Sequence, residues 1–320
     1  MKNTPTLIDL EFLNSLSSEN TRVAYKSDLE QFINFVANSK QVQGLKNITR
    51  SHILEYRDHL NQIGGRYGEP SAPYTVARKM SAIKAYFTFL VVHRGFESNP
   101  YIDIPPVKRN VKNEHQVIGI NEIEEMILAT TESKAGPLHA AIIALNFYAM
   151  IRLNEYLNAK IEDFYNEGDL YFLKVKTKGN KFQIKEIPYP AVQRLLEYQE
   201  WMSKQSRDMH PKNYLFRPYR NNHQGKINID KSLNPRTVNR ILEKYSKKAG
   251  ILRRISSHSG RATAITNYLT LTEEASNVAD IYGAKSLAGH SKISTTETYD
   301  KKRRERANKG KLSGLYRKNN

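Results

Sequence analysis

The chain has 320 residues, enough for one large domain or two of ordinary size. Lysine and arginine number 50 against 32 aspartate and glutamate, a formal charge of +18. That surplus disfavours self-association and favours a polyanion, nucleic acid before an anionic membrane surface, while the lack of any cysteine excludes disulfides, thiol nucleophiles and thiolate zinc sites.

Apolar residues make up 39% of the chain, which suffices for real cores. The opening text MKNTPTLIDLEFLNSLSS carries acidic residues where a signal peptide needs an apolar run. No segment approaches the roughly 20 apolar residues of a membrane span. The expectation is a soluble, cytoplasmic, nucleoid-associated protein.

The first hundred residues read as all-helical. Tyr25, Leu29, Phe32, Ile33 and Val36 recur at steps of three and four, with Ser18 or Asn20 as the cap. A second helix is expected over Ser51–Ile63, stopped by Gly64 and Gly65. A third starts near Ala72–Tyr74 and carries Val76, Met80, Ile83, Phe87, Leu90 and Val91 on its apolar face. Arg78, Lys79 and Lys84 lie along it, available to solvent or to phosphate.

The text ESNPYIDIPPVKRNVKNEHQ holds three prolines and a basic run, so it cannot continue a helix. The break spans about Asn99 to Gln116. The domain reading is 1–107 for the helical N-terminal part, 108–116 for the linker and 117–320 for the rest. Lys108, Arg109 and Lys112 would lie close to DNA held between two domains.

The second part opens with helices over about Asn121–Thr131 and Pro137–Met150. DLYFLKVKTKGNKFQIKEIPY then alternates apolar and polar residues on both sides of Gly179 and Asn180, the pattern of a hairpin. An earlier strand near Ile161–Tyr165 would complete a small antiparallel sheet. Helices resume at Ala191–Lys204, and Asn234 followed by Pro235 is a cap and first-turn signal for a helix that Gly250 stops. The tail beyond Tyr299 is strongly basic.

Four pieces of this second part carry chemistry. FYAMIRLNEYL places Arg152 in apolar text, costly to bury unless an anion or Glu155, three residues on, meets it. KTKGNK puts Lys176, Lys178 and Lys181 around the hairpin tip. SSHSGRATA sets His258 and Arg261 on one helix face, with Ser256 or Ser257 as cap, a helix start that favours anions. LAGHSKISTTETY puts His290 nine residues ahead of Tyr299, a tyrosine in polar text away from any apolar stripe.

In that order, Arg152, Lys178, His258, Arg261, His290 and Tyr299 resemble the tyrosine recombinase (integrase) family, as do MIRLNEYL, TKGNK and, most specifically, LAGHSKISTTETY. The N-terminal SENTRVAYKSDLEQFINF resembles the family's SAM-like core-binding domain. The resemblance implies a mainly α fold with a small antiparallel β-sheet: an N-terminal SAM-like helical core-binding domain and a C-terminal tyrosine recombinase catalytic domain. Size and the lack of an extra N-terminal arm-binding domain are most similar to Xer-type and simple mobile-element recombinases.

The implied reaction is attack of Tyr299 on a scissile phosphate, leaving a 3′-phosphotyrosyl link and a free 5′-hydroxyl, with no ATP, metal or other cofactor. By the same resemblance His258 is the base, Arg152, Arg261 and His290 stabilise the phosphate oxygens, Lys178 protonates the 5′-oxygen and Glu155 orients His258. The residue types fit: a phenol of pKa about 10 needs a base or cations to attack at neutral pH, and permanently charged guanidiniums suit the non-bridging oxygens. The implied partners are a double-stranded recombination site and a homotetramer on two such sites, with or without a second recombinase or accessory protein. The basic tail would dock on a neighbouring subunit through Leu312, Leu315 and Tyr316.

The text departs from the family at four places. Met150 and Ile151 precede the first arginine where glycine is usual, Gly260 precedes the second where leucine is frequent, the stretch from Arg261 to His290 is longer, and the hairpin is extended before Pro188. These point to a divergent, mobile-element branch. The alternatives are an inactive recombinase-fold DNA-binding protein, a type IB topoisomerase-like enzyme and, more distantly, a basic membrane-surface protein. The first should have lost one of the six key residues, the second lacks support in the N-terminal domain and the chain's size, and the third needs an amphipathic basic helix that the sequence does not offer.

Overall fold

The computed structural model describes residues 8–40, 42, 44–65, 67–107, 116–177, 180–205, 207–219 and 231–300. Lys178, Lys108, Arg109, Lys112 and the tail residues Leu312, Leu315 and Tyr316 lie outside them. The chain divides into two compact units between Asn113 and Glu114.

The first unit has no strand among its described residues; its α-helices are α1 Leu10–Ser15, α2 Glu19–Lys40, α3 Arg50–Gln62 and α4 Pro73–Arg94. Asp9 caps α1 by accepting from the Glu11 and Phe12 amides. Pro73 opens α4, where its missing N–H costs nothing, and Gly95 closes it at φ 65°. Leu29, Phe32, Val36, Ile53, Tyr56, Val76, Met80, Ile83 and Phe87 fill the core, as the three-and-four spacing required.

Two sequence expectations change here. Tyr101 and Ile104 are buried in this core, so the connecting segment does not begin at Asn99. Lys79 is not available to phosphate: it is 4% exposed, 3.3 Å from the buried Asp28, and donates to Gln31 at 2.6 Å. Burial lowers its pKa, while Asp28 raises it. Arg78 also pairs with Asp28. Lys84 does face solvent, its Nζ 5.9 Å from the Tyr101 ring centre.

The second unit is built around α6, Gly136–Tyr148, whose residues Ala140–Phe147 are all buried, as expected of a helix apolar on every side. Around it stand α5 Ile120–Leu128, α8 Tyr189–Lys204, α9 Pro235–Lys248 and α10 Ser257–Ser276. Asn234 caps α9 and Ser256 caps α10 through their side chains, as expected from the text. A short α7, Leu153–Leu157, leads into the sheet of β1 Phe164–Glu167, β2 Leu170–Lys176 and β3 Phe182–Glu186. The order is β1-β2-β3, antiparallel, with Val175 opposite Gln183 and Leu173 opposite Lys185. Beyond Lys181 the hairpin closes on Thr177, whose amide donates to the Lys181 carbonyl at 2.7 Å. The helices α11 Ile281–Ala288 and α12 Ile293–Glu297 are the last elements among the described residues. Among the described residues no helix is long and apolar enough to cross a membrane.

Candidate active site

The centre of the site is Arg261. It sits in the first turns of α10, 5% exposed, so its guanidinium needs acceptors. It donates to the Met150 carbonyl and, at 2.6 Å, to the Ala288 carbonyl. Burial first, and then the nearby charge of Arg152, brings its pKa down to about 10.

Arg152 stands at the start of α7. Its Nη1 donates to Glu155 Oε1 at 2.8 Å, and Glu155 Oε2 accepts the Arg152 amide at 3.0 Å. Nη2 reaches the Gly289 carbonyl at 3.4 Å. Glu155 is 5% exposed and both its oxygens meet Arg152, the local pairing its spacing allowed.

His258 and Arg261 share the first turns of α10, as their spacing required. His258 faces solvent, and partial desolvation followed by the charge of Arg261 lowers its pKa. It is therefore neutral near pH 7.

His290 follows Gly289, which ends α11 at φ 65°. The left-handed turn that glycine permits aims the imidazole back into the site. Nδ1 lies 2.9 Å from Thr296 Oγ1. Burial, then Arg261, Arg152 and Lys185, bring its pKa down to about 4. Its ring lies nearly parallel to that of Tyr299, the centroids 6.0 Å apart and the planes 15° apart.

Tyr299 corrects the sequence reading. It is 6% exposed and packs with Met150, Ala262, Ile265 and Leu269. The apolar cluster around it draws on α10, on Met150 before Arg152 and on Ala284 and Ala288 of α11, which the polar text around Tyr299 does not announce as a core. Burial raises its pKa, opposed by Arg261 and Arg152.

The structure thus brings Arg152, Glu155, His258, Arg261, His290 and Tyr299 into one unit. Two residues of the site had no sequence signal assigned to them. Thr296, fully buried, holds Nδ1 of His290. Lys185, 8% exposed, donates to the Leu287 carbonyl at 2.6 Å. Its only signal is that β3 puts Lys185 inside while Phe182 and Ile184 face out.

A helical N-terminal unit, a mainly helical second unit with a three-stranded sheet, and a cation-lined tyrosine within it define the recombinase class of DNA enzymes. Comparison with known proteins agrees. Residues 116–306 match the phage integrase family, and residues 10–94 match the phage integrase N-terminal SAM-like domain. The tyrosine recombinase XerC of Syntrophus aciditrophicus (strain SB) is 27% identical over 287 residues, spanning 88% of this chain and 87% of its own. The crystal structure of the XerH site-specific recombinase in a post-cleavage complex with palindromic difH substrate superposes with a TM-score of 0.65. It is 20% identical and covers 89% of this chain and 78% of that one. A lambda integrase tetramer bound to a Holliday junction gives a TM-score of 0.61 at 15% identity, over 90% of this chain and 75% of that one. The chain belongs to the phage integrase family and is a tyrosine recombinase, an enzyme of site-specific DNA recombination.

Proposed function

We propose that this recombinase cuts and rejoins DNA through Tyr299. The tyrosine Oη attacks the scissile phosphorus, the P–O3′ side stays with the enzyme as a 3′-phosphotyrosyl link, and the bond to the 5′-oxygen breaks. The 5′-oxygen takes a proton and leaves as a hydroxyl. Attack by the 5′-hydroxyl of a partner strand reverses the step, so no ATP is consumed.

The observation that carries this reading is the Tyr299 ring set face to face with His290, in a cluster that also holds Arg261 and Arg152. A buried phenol with a raised pKa is a poor nucleophile until a base and cations act on it. His258, neutral near pH 7, is assigned as that base. Arg152 and Arg261 are assigned to the non-bridging oxygens, where charge builds during attack. Thr296 occupies Nδ1 of His290, which leaves Nε2 to serve a phosphate oxygen. Lys178, by the family resemblance of TKGNK, is assigned the proton for the 5′-oxygen. Glu155 is assigned to holding Arg152.

The partners proposed are a double-stranded DNA site on the nucleoid, in the cytoplasm, and a homotetramer on two sites. The formal charge of +18 supports a free monomer that gathers on DNA. Covalent capture tests the reading: the protein is mixed with fragmented, nicked DNA from its own genome, stopped with detergent, and linked DNA is sequenced. A recurrent sequence linked by wild type and not by Tyr299→Phe is expected. Adducts scattered over all sequences would favour relaxation of the topoisomerase IB kind. Tight, salt-sensitive binding with no adduct would favour an inactive DNA-binding relative.

A further inference from the structure

Three cations converge on one helix end. Lys185 Nζ donates to the Leu287 carbonyl at 2.6 Å, Arg261 Nη2 to the Ala288 carbonyl at 2.6 Å, and Arg152 Nη2 to the Gly289 carbonyl at 3.4 Å. These successive carbonyls close α11, where no further turn can use them, and they carry the negative end of the helix dipole. His290 is the next residue. The proposed chemistry uses both arginines and leaves Lys185 without a part.

Lys185 is not placed as a solvated lysine would be. Side chains alternate along β3, and Phe182 and Ile184 point outward at 61% and 62% exposure while Lys185 is 8% exposed. Its cross-strand partner Leu173 is fully buried. An inward charge on an edge strand can guard against stray strand pairing. A guard needs no particular acceptor, and Lys185 has one. Gln183, on the same face, meets the same turn: a Cβ at Gly289 would stand 2.9 Å from its Oε1 and 3.2 Å from Lys185 Nζ. The strand and the turn before His290 are therefore fitted to each other at two side chains.

We propose that Lys185 is a positioning residue, which holds the Leu287 carbonyl and so sets the turn that presents His290 to the scissile phosphate. This rests on the strand-transfer reading above. Lys185 acts through His290 and needs no contact of its own with DNA. The groups around His290 are Arg261 from α10, Arg152 ahead of α7, Lys185 from β3, Thr296 from α12 and Tyr299 just after it. Losing Lys185 removes one of three cations from that surrounding.

The test uses the full chain with Lys185→Gln and Lys185→Arg, each alone and with His290→Ala, on a nicked duplex that wild type captures. Lys185→Gln should slow adduct formation on the order of 100-fold, the cost of a small misplacement, without weakening DNA binding. Lys185→Arg should recover most of that rate. With His290→Ala, Lys185→Gln should add little, because two residues acting on one step are not additive. In DNA-free protein the His290 imidazole, followed by NMR, should titrate at higher pH in Lys185→Gln. That readout needs no DNA chemistry, so it still decides the role of Lys185 should wild type form no adduct and the strand-transfer reading fall. Full additive loss on the His290→Ala background, a wild-type rate for Lys185→Gln, or an unmoved His290 titration each overturns the proposal. Should Lys185→Gln not fold, Lys185→Met keeps the apolar stem and takes its place in the same cycle.

Discussion

His290 refuses a proton that an exposed histidine would accept. Its pKa lies at about 4 in the folded chain, against about 6.5 for an unperturbed imidazole. Between those values the unfolded chain binds a proton that the folded chain does not, so stability falls as pH drops from about 6.5 towards about 4. His258 is shifted in the same direction and adds to the slope. His290→Asn should flatten it. Denaturant midpoints of wild type and variant, taken near about pH 7 and about pH 5, make the comparison. Equal losses in both would mean that the acid lability arises elsewhere. The same residue shows what sequence can carry at this scale. The spacing of His258 and Arg261 was enough to put them on one helix face, because that contact is local. The partners of His290 were not legible: Lys185 comes from a distant strand, and Thr296 is one of several hydroxyls in STTETY with nothing to single it out.

Helices are where the chain's departures from its family acquire a physical reason. Gly260 stands where α10 crosses α6, and a Cβ there would lie 1.9 Å from Asn146 Nδ2 and 2.6 Å from the Asn146 carbonyl oxygen. A leucine cannot occupy that position beside Asn146, so the two residues form a matched pair. Gly260→Ala should destabilise the chain by about 1–3 kcal/mol through overpacking and, because Arg261 is the next residue, should also slow cleavage. Thermal unfolding and adduct rates measure the two effects, and an unchanged melting temperature would show that Asn146 has room to retreat. The caps, the hairpin and the three-and-four spacing were legible in advance because each is a short-range rule. The Asn146–Gly260 contact joins residues far apart in the chain. So does the pairing of Asp28 with Lys79, which turns an apparently solvated lysine into a buried one.

At the scale of the whole molecule the excess positive charge has to be divided between fold and DNA. Lys79 belongs to the fold, since its partner Asp28 is buried with it. Lys84 is exposed on the same helix and is the better candidate for a phosphate contact. Each phosphate contact contributes about 0.9 to the slope of log affinity against log salt. Lys84→Ala should lower that slope by about this amount, and Lys79→Gln, where it folds, should leave the slope unchanged. A slope that responds to Lys79 alone would reverse the assignment. Assembly is a separate demand. Residues after Tyr299 are basic, with Leu312, Leu315 and Tyr316 as their sizeable apolar side chains. All the described members of the proposed catalytic set precede them, so a shortened chain tests the tail's proposed part in assembly without touching that set. A chain ending after about Lys302 should still form the adduct on nicked DNA, a single-subunit event, yet fail to gather on two sites. Gel mobility and analytical ultracentrifugation with DNA report the second property, and covalent capture reports the first. Tetramers of undiminished stability from the shortened chain would remove the tail from the assembly.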